Sequence, residues 1–397
     1  MQHLSKRILD LEESATIRMA QLARKLKSEG RDIISLSLGE PDFNTPEYIG
    51  NAAKKAIDEG YTHYTPVAGY AELRKAISDK LLRDNGLSYD INQIVSSTGA
   101  KQSLMNAILC LVESGDEVIV PSPYWVSYAA MIQLAEGKMI NIPTTVESAF
   151  KITPEQLENA ITPKSKLLML CSPSNPTGAV YSESELRSLA EVLKKYPQII
   201  IISDEIYEYI TFETPHFSIA QIEGMYERTA IVNGVSKGFA MTGWRLGFLA
   251  APEWLAKACD KIQGQFTSGT SSISQKAAEA AFTENLDEVY AMRDKFKERR
   301  DLVLDKLNAI DGLKISIPQG AFYVFPDISA FFGKKSGDFQ INSSEDFCMY
   351  ILDEANVSLV AGSAFGDDNC VRISYANSEE NLRKALDKIS AALAKLK

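Results

Sequence analysis

One lysine in this chain sits where an amine can be turned into a nucleophile. Lys237 lies in Asn233-Gly234-Val235-Ser236-Lys237-Gly238, between apolar β-type runs at 229–232 and 248–251. The small residues around it, Ser236 among them, let another molecule approach the backbone closely. A lysine that loses hydration in such a loop becomes an amine able to form a Schiff base. Eight positions on, Arg245 offers a forked donor set suited to a phosphate. Taken alone, this stretch fits a solvated loop lysine and an ordinary surface arginine equally well.

Other residues tip that balance. Asp204, in Ile202-Ser203-Asp204-Glu205-Ile206-Tyr207, puts a carboxylate where an apolar strand ends. A buried, unpaired charge is costly, so it needs a partner. A protonated pyridine nitrogen is one, and it keeps such a ring a good electron sink. Tyr207, three positions on, carries a phenol that can hydrogen-bond a ligand held there. Asn175 is fixed between Pro173 and Pro176, where it can donate to a carboxylate or phenolate oxygen or simply make the turn. Gly99, Ala100 and Lys101 open a helix whose free N–H groups suit a phosphate, without the spacing of a Walker A loop. Trp125 can present a flat face to an aromatic cofactor or fill the core. Arg372, among Val371, Ile373 and Ser374, is either a two-pronged clamp for a carboxylate or an edge-strand surface cation. Gly39, before Glu40-Pro41-Asp42, frees its backbone to meet a ligand. Tyr64 is a loop phenol within reach of a phosphate or of packing partners. Ser14 and Thr16 stand at a helix start, where N-capping is their ordinary use.

The elements that must position these residues are readable from period. Strand, loop and helix alternate from about residue 94, with further β-type runs at 138–142, 167–170, 199–202, 229–232 and 248–251. Many runs are apolar throughout, as strands covered on both faces are. That pattern predicts an α/β fold with a mostly parallel sheet between helix layers. Ligands then collect at the strands' carboxyl ends, and residues 99–101, Trp125, Asn175, Asp204 and Lys237 each follow a strand. Earlier, 33–38 reads as a strand and 47–59 as a helix. After about 285 the pattern changes: a charged helix at 284–309 with Arg293, Lys295, Lys297, Arg299 and Arg300 mostly solvated, strands at 320–325, 356–360 and 371–376, and a helix from 379 to 396. We expect a large domain over 48–285 and a small α+β domain built from 1–47 and 286–397.

Bulk properties narrow the class. A chain of 397 residues favours two domains. A net charge of −10 disfavours a nucleic-acid partner, and no apolar run of about 18 residues suggests a membrane span. Five scattered cysteines and no leader-like N-terminus suit free thiols in the reducing cytoplasm. The three histidines are not paired at ligand spacing, so no metal site is expected.

The ordered phrases resemble one family. Gly39-Glu40-Pro41-Asp42-Phe43, Tyr64-Thr65-Pro66-Val67-Ala68-Gly69, Asn175-Pro176-Thr177-Gly178, Asp204-Glu205-Ile206-Tyr207 and the stretch from Gly234 to Gly247 together resemble the class I and II pyridoxal-phosphate aminotransferases, over nearly the whole chain. The resemblance implies the fold type I architecture, with a seven-stranded sheet. It implies that Lys237 holds pyridoxal 5′-phosphate as an internal aldimine and shuttles the Cα proton. Asp204 would meet the pyridine nitrogen, Tyr207 the ring oxygen, and Arg245 the phosphate. Arg372 and the Gly39 backbone would take the substrate carboxylate. Gly234 stands where many relatives place a serine, so one hydroxyl contact to the phosphate is expected to be missing. Tyr64 would cross to the other subunit's cofactor, which implies a homodimer. Ser14-Ala15-Thr16 together with Thr98-Gly99-Ala100-Lys101-Gln102 resembles the bacterial and archaeal subgroup of aspartate aminotransferases. That implies ping-pong transfer between L-aspartate and 2-oxoglutarate, with Ser14, Thr16 and Lys101 on the distal carboxylate under a closing small domain. Related members also accept prephenate, some with a basic residue where Glu13 stands here, so prephenate is the less favoured acceptor. Alanine or aromatic donors, a β-lyase, decarboxylase or cyclopropane-forming synthase, and a non-catalytic regulator are the alternatives. The last is disfavoured by the intact Lys237, Asp204, Asn175 and Arg372.

Overall fold

A computed structural model describes residues 3–397. A short strand β1 (Ile34–Ser35) precedes the strands of the central sheet: β2 (Ile94–Ser97), β3 (Glu117–Ser122), β4 (Lys138–Pro143), β5 (Ser165–Cys171), β6 (Ile200–Asp204), β7 (Thr229–Gly234) and β8 (Gly247–Ala250). Their order across the sheet is β2-β8-β7-β6-β5-β3-β4. All neighbours run parallel except β8, which is antiparallel to both β7 and β2.

Alternate residues of each strand feed different cores, which is why these runs are apolar throughout. Val118 and Val120 pack with Leu104, Ile108 and Leu255 on one face. Ile119 between them packs with Ile142, Leu186 and Leu189 on the other. Near the far edge, Ile231 and Phe248 face Leu73, Ile77 and Phe282, while Val232 and Leu249 face the opposite layer.

A further core gathers Ile34 and Leu36 with Phe296, Val303, Phe322, Ile351, Val357, Leu382 and Ile389, and reaches Tyr207 and Ile210. It is framed by β9 (Tyr323–Val324), the hairpin β10 (Lys335–Ser336) and β11 (Phe339–Gln340), then β12 (Val357–Ser358), β13 (Val360–Ala361) and β14 (Val371–Ser374). β1 pairs in parallel with β12, and β14 lies between β13 and β9.

Three differences from the sequence expectations have physical reasons. The strand expected over 33–38 is only two residues long: Leu36 N still bonds the Ser358 carbonyl, but the Leu36 carbonyl accepts from Ser374 N and the Ser37 carbonyl from Arg372, so the chain leaves β12 there. The run 356–360 splits into β12 and β13, which serve two different sheets. Arg299 and Arg300, expected on a solvated face, are buried. Arg300 lies one helical turn from Phe296 and so shares its core side; its charge is met by Glu213 at 2.6 Å, as that of Arg299 is by Asp42 at 2.6 Å. Among the described residues no helix is long and apolar enough to cross a membrane. All five cysteines are free thiols, with Cys110 and Cys171 only half-buried.

Candidate active site

Where the carboxyl ends of the parallel strands meet the further core, a cavity of about 360 Å³ opens. Its walls include Ser14, Thr16, Gly39, Ala100, Lys101, Trp125, Asn175, Asp204, Tyr207, Ser236, Lys237, Arg245 and Arg372. Gly99 lies at its edge, immediately before the helix Ala100–Leu111. Tyr64 is the exception among the sequence candidates: it is 99% exposed and lies outside the cavity.

The phosphate-like corner is built on glycines. Gly99 precedes its helix with φ 82°, and a Cβ there would collide with the Arg245 guanidinium. A Cβ on Gly247 would collide with the Ala100 backbone, so β8 runs directly under the helix start. A Cβ on Gly234 would stand 2.7 Å from Gly247 Cα. There is no room at 234 for the serine that many relatives carry. Arg245 donates to the carbonyls of Thr242 and Thr98, at 3.1 and 3.4 Å. The arginine fork and the unsatisfied helix N–H groups together suit a phosphate.

Asp204 closes β6 and is buried. Burial raises its carboxyl from 3.8 to about 6, against a hydrogen bond donated by Tyr128 Oη at 2.6 Å. Lys237 follows β7 and donates to the Gly39 carbonyl. Burial lowers its ammonium to about 8; Glu40 and Asp204 oppose this, while Arg372 and Arg245 add to it. A lysine so placed is partly free base near neutrality.

Arg372 is 1% exposed in the middle strand of its sheet. It donates to Asn175 Oδ1 at 2.9 Å and to the Ser37 carbonyl at 2.7 Å, and it packs over the rings of Tyr323 and Phe365. Its Nε has no partner, and among the described residues no carboxylate pairs with it. A buried guanidinium with no counter-ion calls for an anionic ligand. Lys101 lies 5.0 Å over the Trp125 ring, its ammonium lowered by burial and by Arg245. Ser14 precedes the helix Ala15–Ser28 but makes no capping bond, and Thr16 Oγ1 is buried without a partner. The capping role is therefore not filled by either side chain.

Sequence reasoning passed over two tyrosines. Tyr128 stands in the mostly apolar helix Ser127–Leu134 and holds Asp204. Tyr323 meets Tyr207, hydroxyl to hydroxyl, at 2.9 Å. The available signal was a phenol inside an apolar run, since a buried tyrosine usually needs a partner for its hydroxyl.

The sequence model of the class I and II aminotransferases matches residues 31–389. The chain belongs to that family. Class I and II aminotransferases depend on pyridoxal phosphate, and the donor set here fits it: an amine, a buried carboxyl and a phosphate corner share one cavity. Among its relatives is a petunia protein named bifunctional aspartate aminotransferase and glutamate/aspartate-prephenate aminotransferase, 49% identical over 99% of this chain and 83% of that one. The crystal structure of the Rhizobium meliloti aspartate aminotransferase superposes with a TM-score of 0.96 at 44% identity, covering 100% of both chains. That of the Thermus thermophilus aspartate aminotransferase with maleate gives 0.92 at 39% identity, over 99% of this aminotransferase and 100% of that chain.

Proposed function

We propose that this aminotransferase moves the amino group of L-aspartate to 2-oxoglutarate by a ping-pong route. The observation that carries the proposal is Arg372: buried, without a carboxylate partner, and in the same cavity as a second cation, Lys101, and the uncapping hydroxyls of Ser14 and Thr16. Two anion-binding groups suit a dicarboxylate substrate. The names of the petunia and Rhizobium relatives, and maleate in the Thermus structure, favour the same reading.

The residues divide the work as follows. Arg372, with Asn175 and the Gly39 backbone, grips the substrate's α-carboxylate, and Lys101, Ser14 and Thr16 take the distal one. Arg245, Ser236 and the N–H groups at residues 99–101 hold the cofactor phosphate. Trp125 would pack on the ring, Tyr207 would donate to its oxygen, and Asp204 would keep its nitrogen protonated. When bound, pyridoxal phosphate supplies an electron-accepting ring that stabilises charge developing at Cα. Lys237, whose ammonium burial lowers to about 8, takes the Cα proton and returns it as base and then acid. Segments 1–47 and 286–397 form a small domain that closes on 48–285, bringing Ser14, Thr16 and Gly39 over the substrate and excluding water.

The enzyme acts in the cytoplasm as a homodimer, with Tyr64 reaching the partner's cofactor; its full exposure in a single chain leaves the phenol free for that contact. Prephenate is a second acceptor, favoured by the petunia relative's name.

The test is spectroscopic. L-Aspartate should bleach the long-wavelength band of the bound cofactor, 2-oxoglutarate should restore it, and oxaloacetate should appear in proportion. A band that responds to alanine or phenylalanine but not to aspartate would discard the dicarboxylate pocket. For the dimer, mixing Tyr64→Phe and Lys237→Ala subunits should give hybrids with one wild-type site; hybrids no more active than the parents would refute the crossing.

A further inference from the structure

Tyr323 enters the cavity from β9, outside the central sheet. It is fully buried and touches three of the groups assigned above. Its hydroxyl lies 2.9 Å from that of Tyr207. Its ring lies 4.6 Å from the Arg372 guanidinium carbon. Its hydroxyl also fills the space where a Cβ on residue 39 would be, 2.7 Å away, which keeps that position a glycine.

Either hydroxyl of the pair can be the donor. Among the described residues, the only hydrogen-bond partner of either phenol oxygen is the other. If Tyr323 donates, Tyr207 keeps its own proton free for a ligand in the cavity, and hydrogen bonds in such a chain strengthen one another. The other charged or titratable groups facing this pair are Arg372 and Cys171. Those facing Lys237, whose amine sits 5.8 Å from the Tyr207 ring, are Glu40, Arg372, Arg245 and Asp204. None of these hydrogen-bonds to either phenol.

We propose that Tyr323 is a positioning residue: its hydroxyl aims the Tyr207 proton at the cofactor's ring oxygen, and its ring holds Arg372 flat for the substrate carboxylate. The inference rests on the cofactor assignment given above. It places on one side chain a link between the group that tunes the cofactor and the group that recognises the substrate.

The test uses the holoenzyme and two readouts: the pH midpoint of its cofactor absorption change, and the affinity for maleate as an unreactive dicarboxylate. Donation to the ring oxygen favours the form in which the lysine–cofactor linkage has lost its proton, so weaker donation moves the midpoint up. Tyr323→Phe keeps the ring and should raise the midpoint by about half a unit to one unit, with maleate affinity held within about twofold. In a Tyr207→Phe background the same substitution should move the midpoint no further, because its effect passes through Tyr207. Tyr323→Leu should also weaken maleate by about threefold or more through loss of the ring under Arg372. An unmoved midpoint in Tyr323→Phe, or an equal shift in the Tyr207→Phe background, overturns the inference about the hydroxyl. Unchanged maleate affinity in Tyr323→Leu overturns the inference about the ring. A wild-type holoenzyme with no cofactor band overturns both, together with the assignment they rest on.

Discussion

Asp204 should cost the cofactor-free protein stability, and removing its charge should return that stability. The carboxyl moves from 3.8 to about 6 on folding, with burial the main cause. At about 1.4 kcal/mol per unit, this is a penalty of about 3 kcal/mol for the ionised form. The sign follows from proton binding. Between about pH 4 and 6 the folded chain holds a proton the unfolded chain has released, so stability falls as pH rises through that window. The penalty is absent below it and complete above it. Asp204→Asn keeps an oxygen for Tyr128 Oη, now bonded to the carboxylate at 2.6 Å, and carries no charge. Urea denaturation of the cofactor-free proteins should show Asp204→Asn more stable than wild type by up to about 3 kcal/mol at pH 7.5, and by almost nothing near pH 4. With cofactor bound the order should reverse, since the wild-type carboxylate then has a cationic partner. A variant no more stable than wild type at pH 7.5, or one whose advantage is the same at both pH values, would refute the reasoning.

Other outcomes follow from the same geometry. Borohydride reduction of the holoenzyme should fix the cofactor's mass on the peptide bearing Lys237, and Lys237→Ala should give neither that adduct nor turnover. Arg372→Lys keeps the charge but loses the fork; kcat/KM for aspartate should fall about 10- to 150-fold, the worth of one charged hydrogen bond. Gly99→Ala forces a side chain into a φ of 82° and against Arg245, and should cost about 1–3 kcal/mol in unfolding as well as weaken pyridoxal-phosphate affinity in a fluorescence titration. His216 is raised above its usual 6.5: burial opposes protonation, but Glu205, bonded at 3.0 Å, outweighs it. Its stabilising contribution should be complete below about pH 6.5 and vanish as pH rises through the raised value. His216→Gln should therefore lose most denaturation midpoint on the acid side of that range and little on the basic side.

How much of this was legible in the sequence depended on range. Lys237, Arg245, Asp204 and Asn175 sit in loops directly after apolar strands, and a parallel sheet carries such loops to one edge whatever the details of packing. Their convergence on one cavity was therefore readable. Tyr128 and Tyr323 were not, because the partner of each lies 76 or 116 positions away and nothing in the local pattern points to it. Arg299 and Arg300 were misjudged for a related reason: helical period marks a face, but the distant Asp42 and Glu213, with Asp301 beside Arg300, supply the ion pairs that let two arginines lie on the inner one. The glycine at 234 was read as a missing contact. The structure gives it a steric cause in the neighbouring β8, which local sequence does not reveal.

The parallel pairing of β1 with β12 has a consequence for how the chain is made. Ile34 meets Val357 and Ser35 meets Ser358, 323 positions downstream in each case. At roughly 5–20 residues per second, a ribosome needs roughly 15–65 s to make that partner after Ile34 has been joined. Through that interval Ile34 and Leu36 lack their ladder, and the core they join stays incomplete until Leu382 and Ile389 follow. The sheet from β2 to β8 can form in the meantime, since its last strand ends at Ala250. The segment of Ile34 and Leu36 is thus translated well before its partners, and it adjoins Ser14, Thr16 and Gly39 of the cavity. A nascent chain stopped before β12 would carry the lysine loop without the ladder and the completed core that anchor Ile34 and Leu36.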